Sequence, residues 1–352
     1  MSKAVGDWNT KKFGRVITDD ELHIRTHQAH PYLYFNPCPD IDPAQIDEIL
    51  KGGIDVHLHG APLAGRLFGR PKVLDTCIRA SEAGMKALVF KDHYTATNPM
   101  CHVIQDVLGR MAKERAAAGE EFVPVQVFGG VTLNSNVGGM NVAAVRAALD
   151  LGRCKEVWLP SMDAAHQREA MGLEGGIRVS DLKGTLTKEM IDVLEMLADY
   201  NNNSTGERVV LSGCHVSNEE KIDILDYINK KGMDVKVLMD HVTQEMTIIT
   251  PSEAQEMIDK GGYLEFAECS CVPWPGMKDW VVAYDYSFNL IKQLLKDNGP
   301  EHLVLITDAG QPGNEPIDGW KNFIKMLLSE GVSEKDINYM LKDVPAMLLG
   351  KI

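Results

Sequence analysis

Eight short β-rich runs alternate with helical segments along most of the chain, and that alternation most constrains what it can fold into. The runs cover residues 53–59, 86–93, 124–134, 156–163, 208–215, 234–241, 262–268 and 303–310. Between them, segments such as "VLDTCIRASEAGMK" and "TKEMIDVLEMLADYN" place apolar residues three and four apart, and several end in glycine, as a C-cap does. The runs are almost continuously apolar, which suits parallel strands covered on both faces. Eight such units predict an α/β fold, a (β/α)8 TIM barrel. A doubly wound sheet is the rival, but the first strand-to-helix junction lacks G-x-G-x-x-G and no G-x-x-x-x-G-K-[ST] occurs. Residues 1–50 form an N-terminal extension with a short helix after "PCPD". Residues 51–352 form the catalytic barrel domain, of which 318–352 are two closing helices.

Of 352 residues, 44% are hydrophobic and 24% charged, the balance of a soluble globular protein. The formal charge is −14, from 36 basic and 50 acidic residues, with no Lys/Arg-rich run, so nucleic acid is excluded as a partner. The first residues lack an apolar signal core and no window holds 18 uninterrupted apolar residues, so a cytoplasmic protein with no membrane partner is expected. Seven cysteines without a Cys-x-x-Cys pair are expected to be reduced thiols. Cys269 and Cys271 would need a second pair to hold a soft metal.

Barrel enzymes build their sites at the C-terminal ends of the strands. In "GGIDVHLHGAP" His57 and His59 stand two apart, so on a strand both imidazoles face one way, which points to a metal. The second run ends with Lys91 and His93, again two apart; the fifth ends in His215, the sixth in His241 and the eighth carries Asp308. Five of the 11 histidines thus occupy run ends. Of the others, His166 in "DAAHQRE" is the one placed to reach a substrate. Arg178, in a glycine-rich loop, is a clamp for carboxylate or phosphate, and Trp274 and Trp280 are candidates for an apolar wall. Glu265 and Glu268 cannot both be placed, because the register of their run is open.

With these residues the chain resembles the metal-dependent amidohydrolase superfamily. Its pattern is His-x-His on strand one, a Lys or Glu on a middle strand, His on strands five and six, and Asp on strand eight. His57, His59, His215, His241 and Asp308 match. "KDVPAMLLGKI" is similar to the superfamily's closing motif, with Val344 where Asn is usual. "LVFKDHYTATN", "VFGGVTLNSNVGGMN" and "TDAGQPGNEP" are similar to an uncharacterised branch, and the resemblance spans residues 50–352. Asp308 is followed by Ala309 and Gly310, not by the Asp-x-His of the polymerase-and-histidinol-phosphatase family.

The resemblance implies a metal-dependent hydrolase cleaving an amide, lactone or related C–N or C–O bond of a small molecule. One or two divalent ions are implied, with zinc first and manganese or iron as alternatives. His57 and His59 would hold one ion and His215 and His241 a second. Asp308, Lys91 and His241 are the implied catalytic groups, with Asp308 touching metal and moving a proton. His93, His166 and Arg178 would meet the substrate. The run ending at residue 163 offers no Lys or Glu at its end, so Lys91 takes the bridging place, as a carbamate formed with CO2. Phosphoester hydrolysis, and non-hydrolytic decarboxylation or oxygenation on the same scaffold, are the alternatives. A homodimer or homotetramer is the expected assembly.

Overall fold

The computed structural model describes residues 25–26, 41–63, 69–272 and 281–352. Trp274 and Trp280 lie outside the described residues, as does most of the extension. All eight expected strands form: β1 Ile54–Leu58, β2 Ala87–Phe90, β3 Gln126–Thr132, β4 Cys154–Trp158, β5 Val210–Ser212, β6 Val237–Met239, β7 Tyr263–Ala267 and β8 Leu303–Ile306. They pair in chain order, every neighbour parallel, in one eight-stranded sheet. The chain folds as a (β/α)8 barrel because the strands are buried along their length, Gln126 at the start of β3 alone being partly covered, and the helix after each covers its outer face.

Helices α1 Pro43–Leu50, α2 Val73–Glu82, α3 Asn98–Ala117, α4 Val142–Leu151, α5 Ala165–Ala170, α6 Lys188–Asn203, α7 Asn218–Lys231, α8 Pro251–Asp259, α9 Tyr284–Asn298 and α10 Pro316–Ser329 surround it. Capping boxes start two of them, Ser217 with Glu220 at α7 and Thr250 with Glu253 at α8. The second closing helix is not a single rod. It runs as α11 Glu334–Asn338, a π-helical turn Tyr339–Asp343 and α12 Val344–Leu349. Pro345, with no N–H to give, sits where the helix widens. The backbone of Arg25–Thr26 pairs with Val281–Val282 in a separate antiparallel ribbon.

The strands end earlier than the sequence runs suggest. Of the expected rim residues only His57 lies within a strand, and the rest stand one to three residues beyond one. The chain turns sharply there: Cys214, His241 and Asp308 have φ of 46°, 33° and 48°. Such left-handed backbone costs about 1–3 kcal/mol per non-glycine residue and is retained where surrounding structure enforces it.

Between β1 and β8 the ladder gives way to a seam. The His59 N–H donates to the Ala309 carbonyl at 2.7 Å and the Asp308 N–H to the His57 carbonyl at 2.9 Å. Asp55, fully buried in β1, ties the seam together. It accepts hydrogen bonds from the Thr307 hydroxyl, from the Trp320 indole N–H of α10 at 2.8 Å and from the His57 N–H at 3.1 Å. Burial raises its carboxyl to about 7, against these hydrogen bonds.

Asp55 also accepts from the Thr307 N–H at 3.4 Å, so Asp55→Ala takes the acceptor from four buried donors and should lose about 3 kcal/mol in urea unfolding. The folded pKa lies above the unfolded one, so between roughly pH 4 and pH 7 the native state holds the extra proton and Asp55 favours it less as pH rises. Asp55→Asn should therefore be less sensitive than the wild type to a change from pH 5 to pH 8. An unchanged pH dependence would remove Asp55 as its source.

Candidate metal centre

Five imidazoles form an arc at the C-terminal end of the barrel. Ring centroids are 5.7 Å apart for His57–His59, 5.1 Å for His59–His93, 6.3 Å for His93–His215, 5.1 Å for His215–His241 and 5.5 Å for His57–His241. Asp308 stands among them, its Oδ1 3.4 Å from His57 Nε2 and 3.2 Å from His59 Nε2. The six residues come from loops or strand ends spread over β1, β2, β5, β6 and β8, so the barrel alone brings them together.

Their hydrogen bonds fix which nitrogen carries the proton. His59 Nδ1 donates to the Lys91 carbonyl at 3.0 Å. The Thr247 hydroxyl gives its own proton to the His241 carbonyl, so at 2.8 Å it accepts from His241 Nδ1. His215 Nδ1 donates to the Gln167 side-chain oxygen. The Lys91 ammonium can only donate, and it lies 3.0 Å from His57 Nε2, which leaves the His57 proton on Nδ1, 3.1 Å from Glu265 Oε2. Four histidines thus keep Nε2 as a lone pair. His93 Nδ1 is held by the Ser161 hydroxyl at 2.8 Å.

Burial holds the imidazoles neutral. It lowers His57, His93 and His215 well below the usual histidine range, helped by neighbouring cationic or imidazole groups, lowers His59, and brings His241 to about 4. Asp308 moves the other way. Burial would raise it, but His57, His59 and His241 hold it well below the usual carboxylate range. Gln244 donates to its Oδ2 and Gln311 to its backbone carbonyl.

Two sets of donor atoms lie close enough to share an ion, each within 4.8 Å of one another: His57, His59 and Asp308, and His57, Asp240 and His241. The second set differs from the expected pairing of His215 with His241. Asp240, unmarked in the sequence reading, immediately follows β6, and its Oδ1 accepts the Cys214 N–H at 2.8 Å while its Oδ2 faces Lys91. His215 borders the arc outside both sets.

Lys91 points into the barrel. It is 1% exposed, with Nζ between His57 Nε2 at 3.0 Å and Asp240 Oδ2 at 3.3 Å, so it does not reach past the rim to a loop carboxylate. Burial would lower the ammonium, but Cys214, Asp240 and Asp308 raise it above the ordinary lysine range. Beneath it, Glu156 and Glu265 are fully buried and their carboxyls are raised well above normal, by burial first and then by the charge of Asp240. Glu265 is the strand-seven carboxylate that faces the site. Glu268 lies outside it, accepting from Asn314 and Asn322.

Two expected substrate contacts are engaged elsewhere. His166 Nε2 meets the Met246 carbonyl at 3.0 Å, because on α5 it is the next residue, Gln167, that turns to His215. Arg178 pairs with Glu169 and stands 3.9 Å from Glu220, joining α5 to α7. Cys269 and Cys271 are buried free thiols. The sequence reading does not mark Gln167, Asp240, Gln244 or Thr247; Gln167 and Asp240 each adjoin a histidine that it does mark, and no spacing rule picks out the other two.

Residues 52–265 match a family described as a family of unknown function, DUF6282. No curated protein matches the sequence. Among solved structures, a probable 2-pyrone-4,6-dicarboxylic acid hydrolase from Acinetobacter baumannii is 12% identical with a TM-score of 0.51, covering 85% of this chain and 99% of its own. A PTE-like lactonase mutant from Deinococcus radiodurans is 14% identical with a TM-score of 0.53, covering 88% and 98%. The probable dipeptidase PvdM from Pseudomonas aeruginosa is 12% identical with a TM-score of 0.54, covering 87% and 97%. These likenesses are of fold, the barrel that the amidohydrolase resemblance implied.

Partners behind metal-ligating histidines commonly set affinity. Thr247→Val removes the acceptor at His241 Nδ1 while keeping the side chain's shape. Divalent-metal affinity, measured by competition with a chromogenic chelator, should fall about 10- to 100-fold. Unchanged affinity would reduce Thr247 to a turn residue.

Proposed function

The chain belongs to DUF6282, a family of unknown function, and we propose that it is a metal-dependent hydrolase of a small molecule, cleaving an amide, lactone or related C–N or C–O bond. One contact carries the reading. His59 commits its Nδ1 proton to the Lys91 carbonyl, and its Nε2 lies 3.2 Å from Asp308 Oδ1, a contact that needs positive charge between the two atoms, either a second imidazole proton or a metal ion. A cation between the two resolves that confrontation, and the donor set suits it: neutral imidazoles and a carboxylate are ligands for zinc, manganese or iron(II). The structural neighbours, a probable hydrolase, a lactonase mutant and a probable dipeptidase, support the same class.

His57, His59 and Asp308 would hold one ion, and His57, Asp240 and His241 mark the place of a second. A divalent ion there supplies acidified water and polarises a carbonyl oxygen. The protein's own residues do the rest. Asp308, oriented by Gln244, takes the proton of the attacking water and returns it to the leaving group. His93 and His215 line the same space and hydrogen-bond the substrate. Lys91 stands between the two donor sets, where its ammonium would be repelled by divalent charge. We assign it the bridging role when ions are bound: their charge would free the amine to add to CO2, releasing a proton and leaving a carbamate with two oxygens, whereas without them Lys91 remains the cation facing Asp240.

Replacing both His57 and His59 by Ala should empty the first set. A folded double variant that keeps full metal content by inductively coupled plasma mass spectrometry would defeat the assignment. Asp308→Asn should keep the fold and lower turnover at least about 100-fold on a substrate found by screening lactones and dipeptides. Near-normal turnover would leave Asp308 as a turn residue.

A further inference from the structure

Arg70 has no part in the metal chemistry above, yet it is built into the mouth of the site. It lies in the loop between β1 and α2, partly covered, and its Nη1 donates to the Gly310 carbonyl at 3.0 Å. Gly310 follows Asp308 by two residues and can only be glycine: at φ 113° an added Cβ would come within 2.1 Å of the His59 carbonyl oxygen. The guanidinium is therefore seated against the backbone that carries Asp308, beside that of His59. Its charge helps keep His59 and His93 neutral, and it is attracted in turn by Asp308 and Asp92.

A guanidinium offers five N–H donors. Among the described residues only Nη1 of Arg70 is engaged, and the buried Nε–H has no partner. A buried donor left without an acceptor costs about 1–3 kcal/mol, so its retention calls for a reason. With one Nη1–H committed to Gly310, four donors remain, among them Nε–H and the Nη2–H beside it, the side-on edge of the fork, whose spacing matches the two oxygens of one carboxylate. The other candidate cations are spent: Lys91 is buried against Asp240, and Arg178 is held by Glu169. In a chain of net charge −14, an anion reaching the site needs such a local cation.

We propose that Arg70 sets substrate class by binding a carboxylate of the substrate on the His59 and His93 side of the site, so that the bond to be cut lies over the histidine arc. The inference rests on the hydrolase reading, which it narrows to substrates bearing a free carboxylate.

The test is calorimetric titration of the full chain with acetate, succinate, glutarate and benzoate, each beside its uncharged amide. The wild type, Arg70→Met and Arg70→Lys are compared, metal-loaded and after chelator treatment, with metal content measured in each. At least one carboxylate should bind the wild type about 10-fold or more tightly than its amide. That preference should vanish in Arg70→Met and survive in part in Arg70→Lys, which keeps the charge and loses the fork. No preference in the wild type, or an undiminished one in folded Arg70→Met of unchanged metal content, overturns the proposal. A preference that depends on Arg70 and persists after chelation, in a protein that takes up no metal, supports Arg70 and sinks the hydrolase reading instead.

Discussion

The seam between β1 and β8 is the constraint on which the rest depends. A barrel of eight strands must bring its first and last strands together, and here they meet through backbone groups of His57, His59, Asp308 and Ala309. The residues that close the barrel include those of the first candidate donor set. Asp55 locks the junction from below by holding β1 to Thr307 and to Trp320 of α10. Closure of the fold and assembly of the first donor set are one event, because the hydrogen bonds that join the strands also set the separation of the histidines from the carboxylate.

Below the arc the charge balance is acidic. Asp240, Glu156 and Glu265 are buried together, and one oxygen of each glutamate has no hydrogen-bond partner among the described residues. Lys91 is the cation set among them. Burying that many carboxyl groups is costly unless they are protonated or matched by positive charge. The raised carboxyls of Glu156 and Glu265 show the first remedy, and the donor sets above them invite the second. The inward reach of Lys91 follows: at the rim it would have solvent, whereas here it offsets part of the buried carboxylate charge.

Much of this was legible in the sequence, for a definite reason. Parallel strands covered on both faces leave continuous apolar runs, and barrel sites sit at one end of them, so His57, His59, His215, His241 and Asp308 could be found by position alone. What escaped was whatever depended on register or on a loop's path. Asp240 adjoins His241, and only the left-handed backbone at His241 shows that both neighbours contribute. His166 and Gln167 differ by one step on a helix whose orientation no periodicity gives, and it is Gln167 that turns to His215. Glu265 and Glu268 needed the register of β7. Arg70 lies in an irregular loop, where no pattern links a residue to a carbonyl some 240 positions along the chain.

The way the imidazoles are anchored separates what the barrel controls from what the loops control. His57 is held by Glu265 of β7, His59 by the backbone after β2, His93 by Ser161 after β4 and His215 by Gln167 of α5. Each of these partners belongs to a different β/α unit from the histidine it holds, and only His241 is held within its own loop, by Thr247. Cross-bracing of this kind fixes donor positions to the rigid sheet and not to any one loop. The strained backbone at Cys214, His241 and Asp308 is tolerated for the same reason, since neighbouring units over-determine it. The loops beyond the anchors, with Arg70 in the first of them, are then free to differ in sequence without moving the metal donors. If Arg70 sets substrate class and the histidine arc holds the ion, the two functions are encoded in separate parts of the chain, and a change at Arg70 should alter which molecules bind while leaving the candidate donors in place.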